Sequence, residues 1–213
     1  MTTEASAEPT RIVIIRHGES VANATKSVHG PRVCEGLSEL GRDQCVRLAA
    51  RLARTGELAG SVLVASQYRR ARQTAEAIAP AIGNPPLEID ERWGELDWGA
   101  ACDGLTWAEA VERHGLPNWT DEDAPTFPGG ESVAALQRRV AAAVDDLLAR
   151  HRGRVVTICA HGGVVDMAVR YVTGAHDRSR FDLFTANTAL TTIAHTSAGR
   201  WRLERYNDAA HLS

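Results

Sequence analysis

The sequence predicts a layered α/β fold built on a mostly parallel sheet. Three observations predict it. Short apolar runs lack strict alternation, amphipathic helical patterns lie between them, and 213 residues is a usual length for one domain. The first run, Arg11–Ile15 (RIVII), reads as a strand covered on both faces. A helix follows in which Leu40, Cys45, Leu48, Ala49 and Leu52 share one side. Ser61–Ala65 (SVLVA) is the second strand, and Ala71, Ala75, Ile78 and Ile82 mark the helix after it. The clearest helix is Ser132–His151, where Val133, Leu136, Val140, Val144, Leu147 and Leu148 recur at three- and four-residue spacing. Val155–Ala160 (VVTICA) is the third buried strand, and a helix follows Gly163 through Val164, Met167, Ala168 and Tyr171. Ala189–His195 and Arg200–Tyr206 alternate as strands around a turn at Ser197–Gly199, and the former is expected to offer an edge for pairing in a homodimer.

Residues from about Leu96 to Gly130 break this rhythm. They hold Trp98, Trp107 and Trp119, the acidic run Asp121–Asp123, three prolines and one helical candidate, Thr106–His114. The stretch reads as a lid insertion over one edge of the sheet, within a single domain spanning 11–213. The tryptophans serve its packing or line a substrate entrance. Met1–Thr10 is polar, lacks the apolar core of a secretion signal, and reads as a disordered tail.

Composition narrows the function. With 24 Lys+Arg against 27 Asp+Glu the net charge is −3, which disfavours nucleic acid and anionic membrane as partners. No run approaches the roughly 18 apolar residues of a membrane span. Cys34, Cys45, Cys102 and Cys159 form no C-x-x-C pair, which fits a reduced, cytoplasmic protein. Lys26 is the sole lysine, so 23 basic residues are arginine. Genome composition explains most of such a bias, yet arginine also grips phosphate with two parallel hydrogen bonds, which lysine does not.

The chemistry gathers where strands end. The first ends in Arg16-His17-Gly18-Glu19-Ser20, the second runs into Ser66-Gln67-Tyr68-Arg69-Arg70-Ala71, and the third is followed by His161-Gly162-Gly163. Ligands of open α/β sheets bind outside the carboxyl ends of the strands. These ends would bring two arginines and two histidines into one positive pocket, with helix N-terminal amides as further anion donors. Such a pocket suits a phosphate monoester.

These strings resemble the histidine phosphatase superfamily, the phosphoglycerate mutase-like group, from about Arg11 to Tyr206. The signature R-H-G matches Arg16-His17-Gly18, with Asn23 six residues after the histidine. S-x-x-x-R-A matches Ser66–Ala71, the second histidine motif matches His161-Gly162, and P-G-G-E-S matches Pro128–Ser132. The resemblance implies a three-layer α/β/α sandwich, a phosphohistidine intermediate and no metal or other cofactor. His17 would be the nucleophile, one ring nitrogen attacking while the other is fixed by a carbonyl. Arg16, Arg70 and a protonated His161 would neutralise the phosphoryl oxygens, with Asn23 and the Gly162 amide as further donors. Glu95 would be the general acid, with Asp97 and Glu91 as alternatives. The usual W-E-G string is replaced here by Trp98-Gly99-Ala100-Ala101-Cys102-Asp103-Gly104. Gln67-Tyr68 stands where Pro-Leu is usual. Glu19 and Ser20 read as loop-shaping residues.

The expected function is therefore metal-independent hydrolysis of a small phosphorylated metabolite. A cofactor-dependent phosphoglycerate mutase would use the same pocket, but it typically carries a longer insertion than this chain has. A pseudophosphatase that binds a phosphorylated ligand without turnover is the non-enzymatic alternative. A metallohydrolase is disfavoured, because no H-E-x-x-H cluster is present and two arginines would repel a divalent cation.

Overall fold

The computed structural model describes residues 8–175 and 181–213. The expected tail therefore lies mostly outside the described residues. Its last residue, Thr10, already belongs to the first strand. In chain order the elements are β1 (Thr10–Arg16), α1 (Val21–Thr25), α2 (Glu39–Thr55), β2 (Val62–Ala65), α3 (Arg69–Ile78) and β3 (Leu87–Ile89). They continue with α4 (Trp107–His114), α5 (Val133–Arg150), β4 (Val155–Ala160), α6 (Gly162–Thr173), β5 (Leu190–His195) and β6 (Trp201–Asp208).

The strands form one sheet in the order β3-β2-β4-β1-β5-β6. The β1–β4, β2–β4 and β2–β3 pairs are parallel, and β5 joins β1 and β6 antiparallel. Alternate residues of each parallel strand feed different layers. Ile12, Ile14, Val64, Val156 and Ile158 pack under α5 and α6. Val13, Ile15, Leu63, Ala65 and Cys159 pack with Leu48 and Leu52 of α2 and Ala75 and Ile78 of α3. Burial on both faces is why these strands read as continuous apolar runs. The result is a three-layer α/β/α sandwich.

One strand is added to the expected set and one expectation is corrected. Residues 87–89 form a strand that the sequence pattern does not announce, because three residues behind Pro85-Pro86 are too short to show a period. The late strand β5 is not an edge: it sits between β1 and β6, so the sheet ends at β3 and β6. Its core-facing run, Leu190 to Ala194, is fully covered. Alternation in the sequence came from threonines, which are buried here as well.

The 96–130 segment closes on itself at its base. Glu131 N–H donates to the Asp97 carbonyl at 2.6 Å, and a Cβ at Gly130 would lie 2.8 Å from that same oxygen. Inside the loop Trp98 meets Trp107, Trp119 and Phe127 at ring separations of 5.1, 5.8 and 5.8 Å. Trp98 also packs on the main core, so the packing reading holds for it.

One backbone contact sets the height of the β1 loop over α2. A Cβ at Gly41 would stand 1.9 Å from the Glu19 carbonyl oxygen, and one at Gly18 would stand 2.5 Å from the Gly41 oxygen. Neither obstacle is a flexible side chain, so the backbone itself must move. We expect Gly41→Ala to destabilise the protein by about 3 kcal/mol, the upper range for forced overpacking, read as a lowered urea midpoint. An unchanged midpoint would show that the loop can lift freely.

Candidate active site

The ends of β1, β2 and β4 bring Arg16, His17, Ser66 and His161 together, and the first turn of α3 adds Arg70. His17 and His161 are 3% and 0% exposed, with ring centres 5.1 Å apart. His17 Nδ1 lies 2.6 Å from the Gly18 carbonyl, so Nδ1 carries the proton and donates it there. Arg70 Nε–H donates to the lone pair of His17 Nε2 at 3.1 Å. The tautomer that leaves Nε2 unprotonated is thus held from both sides of the ring.

Arg70 is buried and well anchored. Its guanidinium lies 4.4 Å over the Tyr68 ring, and Nη1 donates to the His29 carbonyl at 3.3 Å. Arg16 Nη1 donates to the Thr185 carbonyl. His161 Nε2 pairs with Ser66 Oγ at 2.7 Å. Two buried polar atoms of this cluster, Arg16 Nε and His161 Nδ1, have no partner among the described residues. Buried polar atoms without partners are costly, and two such atoms beside two guanidiniums fit an anion with several acceptor oxygens. Gly162 opens α6 next to them, and a Cβ there would lie 3.8 Å from Arg16 Nε.

Burial, then the charge of Arg70, pushes the His17 pKa well below the ordinary imidazole range. Burial does the same to His161, reinforced by Arg70, His17, Arg139 and Arg16. Without an anion in the cluster the imidazole is therefore neutral, and the expected protonated His161 belongs to the phosphate-loaded site. Burial also lowers the Arg16 pKa, Glu95 raises it, and Arg70 lowers it further.

Glu95 reaches the site from the segment before the insertion. Its Oε2 accepts from the Gly163 amide at 3.2 Å, at the N-terminus of α6. A Cβ at Gly163 would stand 2.3 Å from Oε1, so the second glycine of H-G-G makes room for the carboxylate. The alternatives fare worse. Asp97 Oδ1 accepts from the Gly99 amide at 2.9 Å and shapes the turn. Glu91 sits in a short 3₁₀ turn, Glu91–Trp93, ahead of the loop.

Arg139 of α5 holds this acid-bearing strip, and the sequence reading did not single it out. Its five N–H groups go to five acceptors. Nε and one Nη2 hydrogen reach the two Glu131 oxygens at 2.7 and 2.9 Å. Nη1 donates to the carbonyls of Arg92 and Gly94 at 2.8 and 2.7 Å, and Nη2 to that of Glu95 at 2.9 Å. Asn187 and Thr188 were also missed. Asn187 Nδ2 donates to the His17 carbonyl at 2.9 Å, and Thr188 N–H to that of Arg16 at 2.8 Å. Thr188 does so at φ +58, unusual for a β-branched residue.

Asn23 stands at the margin of the cluster: Asn187 Nδ2, which donates to the His17 carbonyl, also reaches Asn23 Oδ1 at 3.5 Å, and the Asn23 Nδ2 donor is not used by the cap. It is exposed, and its Oδ1 accepts from the Ser20 amide as the third residue of a capping box on α1. Ser20 is the N-cap, and Glu19 accepts from the Ser38 hydroxyl at 2.7 Å. All four cysteines are free and buried. Among the described residues no group of three His, Cys, Asp or Glu could hold a metal ion, and no helix is long and apolar enough to cross a membrane.

Residues 12–209 match the histidine phosphatase superfamily (branch 1). The chain belongs to that superfamily. The bifunctional protein Rv2228c of Mycobacterium tuberculosis is 34% identical over 212 residues, 99% of this chain but 57% of that protein, so the chain spans little more than half of this relative. The metal-independent phosphoserine phosphatase of Arabidopsis thaliana is 29% identical, covering 97% of this chain and 84% of its own length. Among solved structures, Bacillus stearothermophilus YhfR superposes with a TM-score of 0.82 at 26% identity, over 96% of this chain and all of that one. The mycobacterial glucosyl-3-phosphoglycerate phosphatase Rv2419c, solved with VO3, gives 0.77 at 28% identity over 92% and 98%.

The two buried imidazoles link stability to pH. Unfolded, each takes a proton near pH 6.5; folded, each resists it. The unfolded state therefore binds more protons in acid, and stability falls as pH drops below about 6.5. The slope is about 1.4 kcal/mol per pH unit for each histidine until the folded state also protonates. Thermal midpoints at pH 7.5, 6.5 and 5.5 should decline, most steeply over the last interval. A flat series would show that the rings are already charged in the folded state.

Proposed function

We propose that this protein is a metal-independent phosphomonoester hydrolase acting on a small phosphorylated metabolite through a phosphohistidine. The observation that carries the reading is the lone pair of His17 Nε2, fixed by the Gly18 carbonyl and met by Arg70 within one buried cluster. The relatives named as phosphatases support it.

Chemistry follows from the positions. An incoming phosphate takes over the Arg70 N–H that otherwise covers Nε2, and the nucleophile is released as the anion binds. Nε2 attacks phosphorus, the phosphorus–oxygen bond to the leaving group breaks, and the Glu95 carboxyl gives its proton to the departing alkoxide. Arg16, Arg70 and the Gly162 amide face the spreading negative charge. An arriving dianion also reverses the local field at His161, which lets that ring carry a proton in the loaded site. Glu95, now ionised, takes a proton from water as its oxygen attacks phosphorus. The phosphorus–nitrogen bond breaks, and phosphate leaves. Two guanidiniums supply the charge that a divalent cation would otherwise bring. A phosphoglycerate mutase uses the same groups but returns the phosphoryl to substrate; dependence of activity on a bisphosphoglycerate primer would favour that reading.

His17→Ala should abolish hydrolysis of p-nitrophenyl phosphate and acid-labile phosphoenzyme, with wild-type activity unchanged by EDTA. Residual turnover at more than about 1% of wild type would remove His17 as nucleophile. Glu95→Gln should depend on the leaving group. Alkyl phosphates, which need the proton, should lose about 100- to 10,000-fold, the usual worth of general acid catalysis, while p-nitrophenyl phosphate loses much less. Arg139→Lys keeps the charge but not the five-bond fork, and should follow the same leaving-group pattern more mildly. An equal loss on both substrate types would make Arg139 a general stabiliser instead.

A further inference from the structure

A cleft of about 430 Å³ opens beside Glu95, between Gln67-Tyr68, the 91–97 segment and the Gly129–Glu131 turn. Its inner wall is Tyr68, only 2% exposed. One face of this wall belongs to the phosphate cluster: the ring meets His161 edge-on at 4.7 Å and carries Arg70 at 4.4 Å. Its hydroxyl lies within the electrostatic reach of Glu95, Asp97 and Arg139 and makes no hydrogen bond among the described residues. Next to it, the buried Oε1 of Gln67 is also without a partner. These are the two residues that stand where Pro-Leu is usual.

The charges of the cleft have a definite sign. Glu91, Asp97 and Glu131 line it against Arg92 and Arg139, beside Glu95, which is uncharged while it holds the proton for the leaving group. Arg139 has no donor left over, since all five are taken by Glu131 and three carbonyls. Arg92 turns Nε and Nη2 to Asp90 and Asp146. The cleft therefore presents an amide oxygen, a phenol and net negative charge, with no open guanidinium fork for a carboxylate. It adjoins the acid that would protonate the leaving oxygen, which is where the leaving alcohol must lie.

Resting on the phosphatase reading above, we infer that this cleft is a leaving-group subsite for an amino alcohol, and that the preferred substrate is a small alkyl phosphate bearing a protonated amine. An ammonium brings three donors to Gln67 Oε1, the Tyr68 oxygen and the carboxylates. A carboxylate in the same place meets like charge and leaves both polar groups unpaired.

The test compares kcat/KM for three two-carbon esters of matched size: 2-aminoethyl phosphate, 2-hydroxyethyl phosphate and 2-phosphoglycolate. The expected order is ammonium over hydroxyl by about tenfold or more, and hydroxyl over carboxylate by a similar factor, with the difference mainly in KM. Gln67→Met and Glu91→Gln should each shrink the ammonium-to-hydroxyl ratio severalfold, their thermal midpoints confirming that they fold. With p-nitrophenyl phosphate hydrolysed normally, an equal or reversed order overturns the subsite alone. A ratio unmoved in both variants does the same. A wild-type protein that hydrolyses neither p-nitrophenyl phosphate nor any of the three esters overturns the phosphatase reading, and the subsite with it.

Discussion

Two imidazoles and the Arg70 guanidinium are buried at the ends of three parallel strands beside the half-buried Arg16, and Glu95 is the carboxylate whose charge reaches Arg16. Concentrating positive charge in a low-dielectric place is unfavourable unless the surroundings force it. Most of the local structure can be read as that forcing. Arg70 is held between the Tyr68 ring, the His29 carbonyl and His17. Arg16 is tied to the Thr185 carbonyl, and the strained Thr188 fastens the backbone beneath it. Gly18 and Gly41 let the β1 loop lie directly on α2, so His17 cannot drift away from its partners. The donors thus stand in place before any anion arrives, and little reorganisation is left for the reaction step.

The acid is positioned by a different part of the molecule. Its backbone hangs on Arg139 of α5, a helix that starts just after the 96–130 segment, while its carboxylate rests on the amide that opens α6. The string Pro128–Ser132 has a role in each link. Gly130 permits the close approach to Asp97 and Trp98, Glu131 holds the Arg139 fork, and Ser132 caps α5 by accepting from the Ala135 amide. The 96–130 segment and the acid are therefore coupled through one guanidinium. A shift of the loop base would be felt at Glu95 without any direct contact to substrate.

The parts of the site legible in the sequence were those carried by regular elements. Arg16, His17, Ser66 and His161 follow strands whose apolar runs are unbroken, and the end of a parallel strand fixes where the next residue goes. Arg70 is legible for the same reason, in the first turn of a helix. What stayed hidden depends on contacts between distant segments. Thr185, Asn187 and Thr188 precede β5 in an irregular stretch with no period to read. Arg139 lies on the polar side of an amphipathic pattern, where a solvated arginine is the ordinary expectation. For Asn23, a spacing from His17 does not reveal that its Oδ1 is taken by a helix cap, which leaves Nδ2 as the donor. The neutral state of His161 was illegible because protonation depends on the sum of its neighbours, and burial is not written in a motif.

The two halves of the site differ in sign, and this bears on how a substrate would be oriented. The phosphate half is positive through Arg16 and Arg70, and the cleft beyond Tyr68 is negative through Glu91, Asp97 and their neighbours. A phosphomonoester with a cationic tail is itself a dipole of matching direction, so each end is attracted where the other is repelled. Turned around, the ester would place its ammonium between two guanidiniums and its phosphate among carboxylates, with both contacts unfavourable. Field alone then selects one orientation, the one that sets the ester oxygen beside Glu95 and phosphorus beside His17 Nε2. The arginine excess of a chain with net charge −3 acquires its meaning here, because the sign of the surface as a whole says nothing about the gradient across a single cleft.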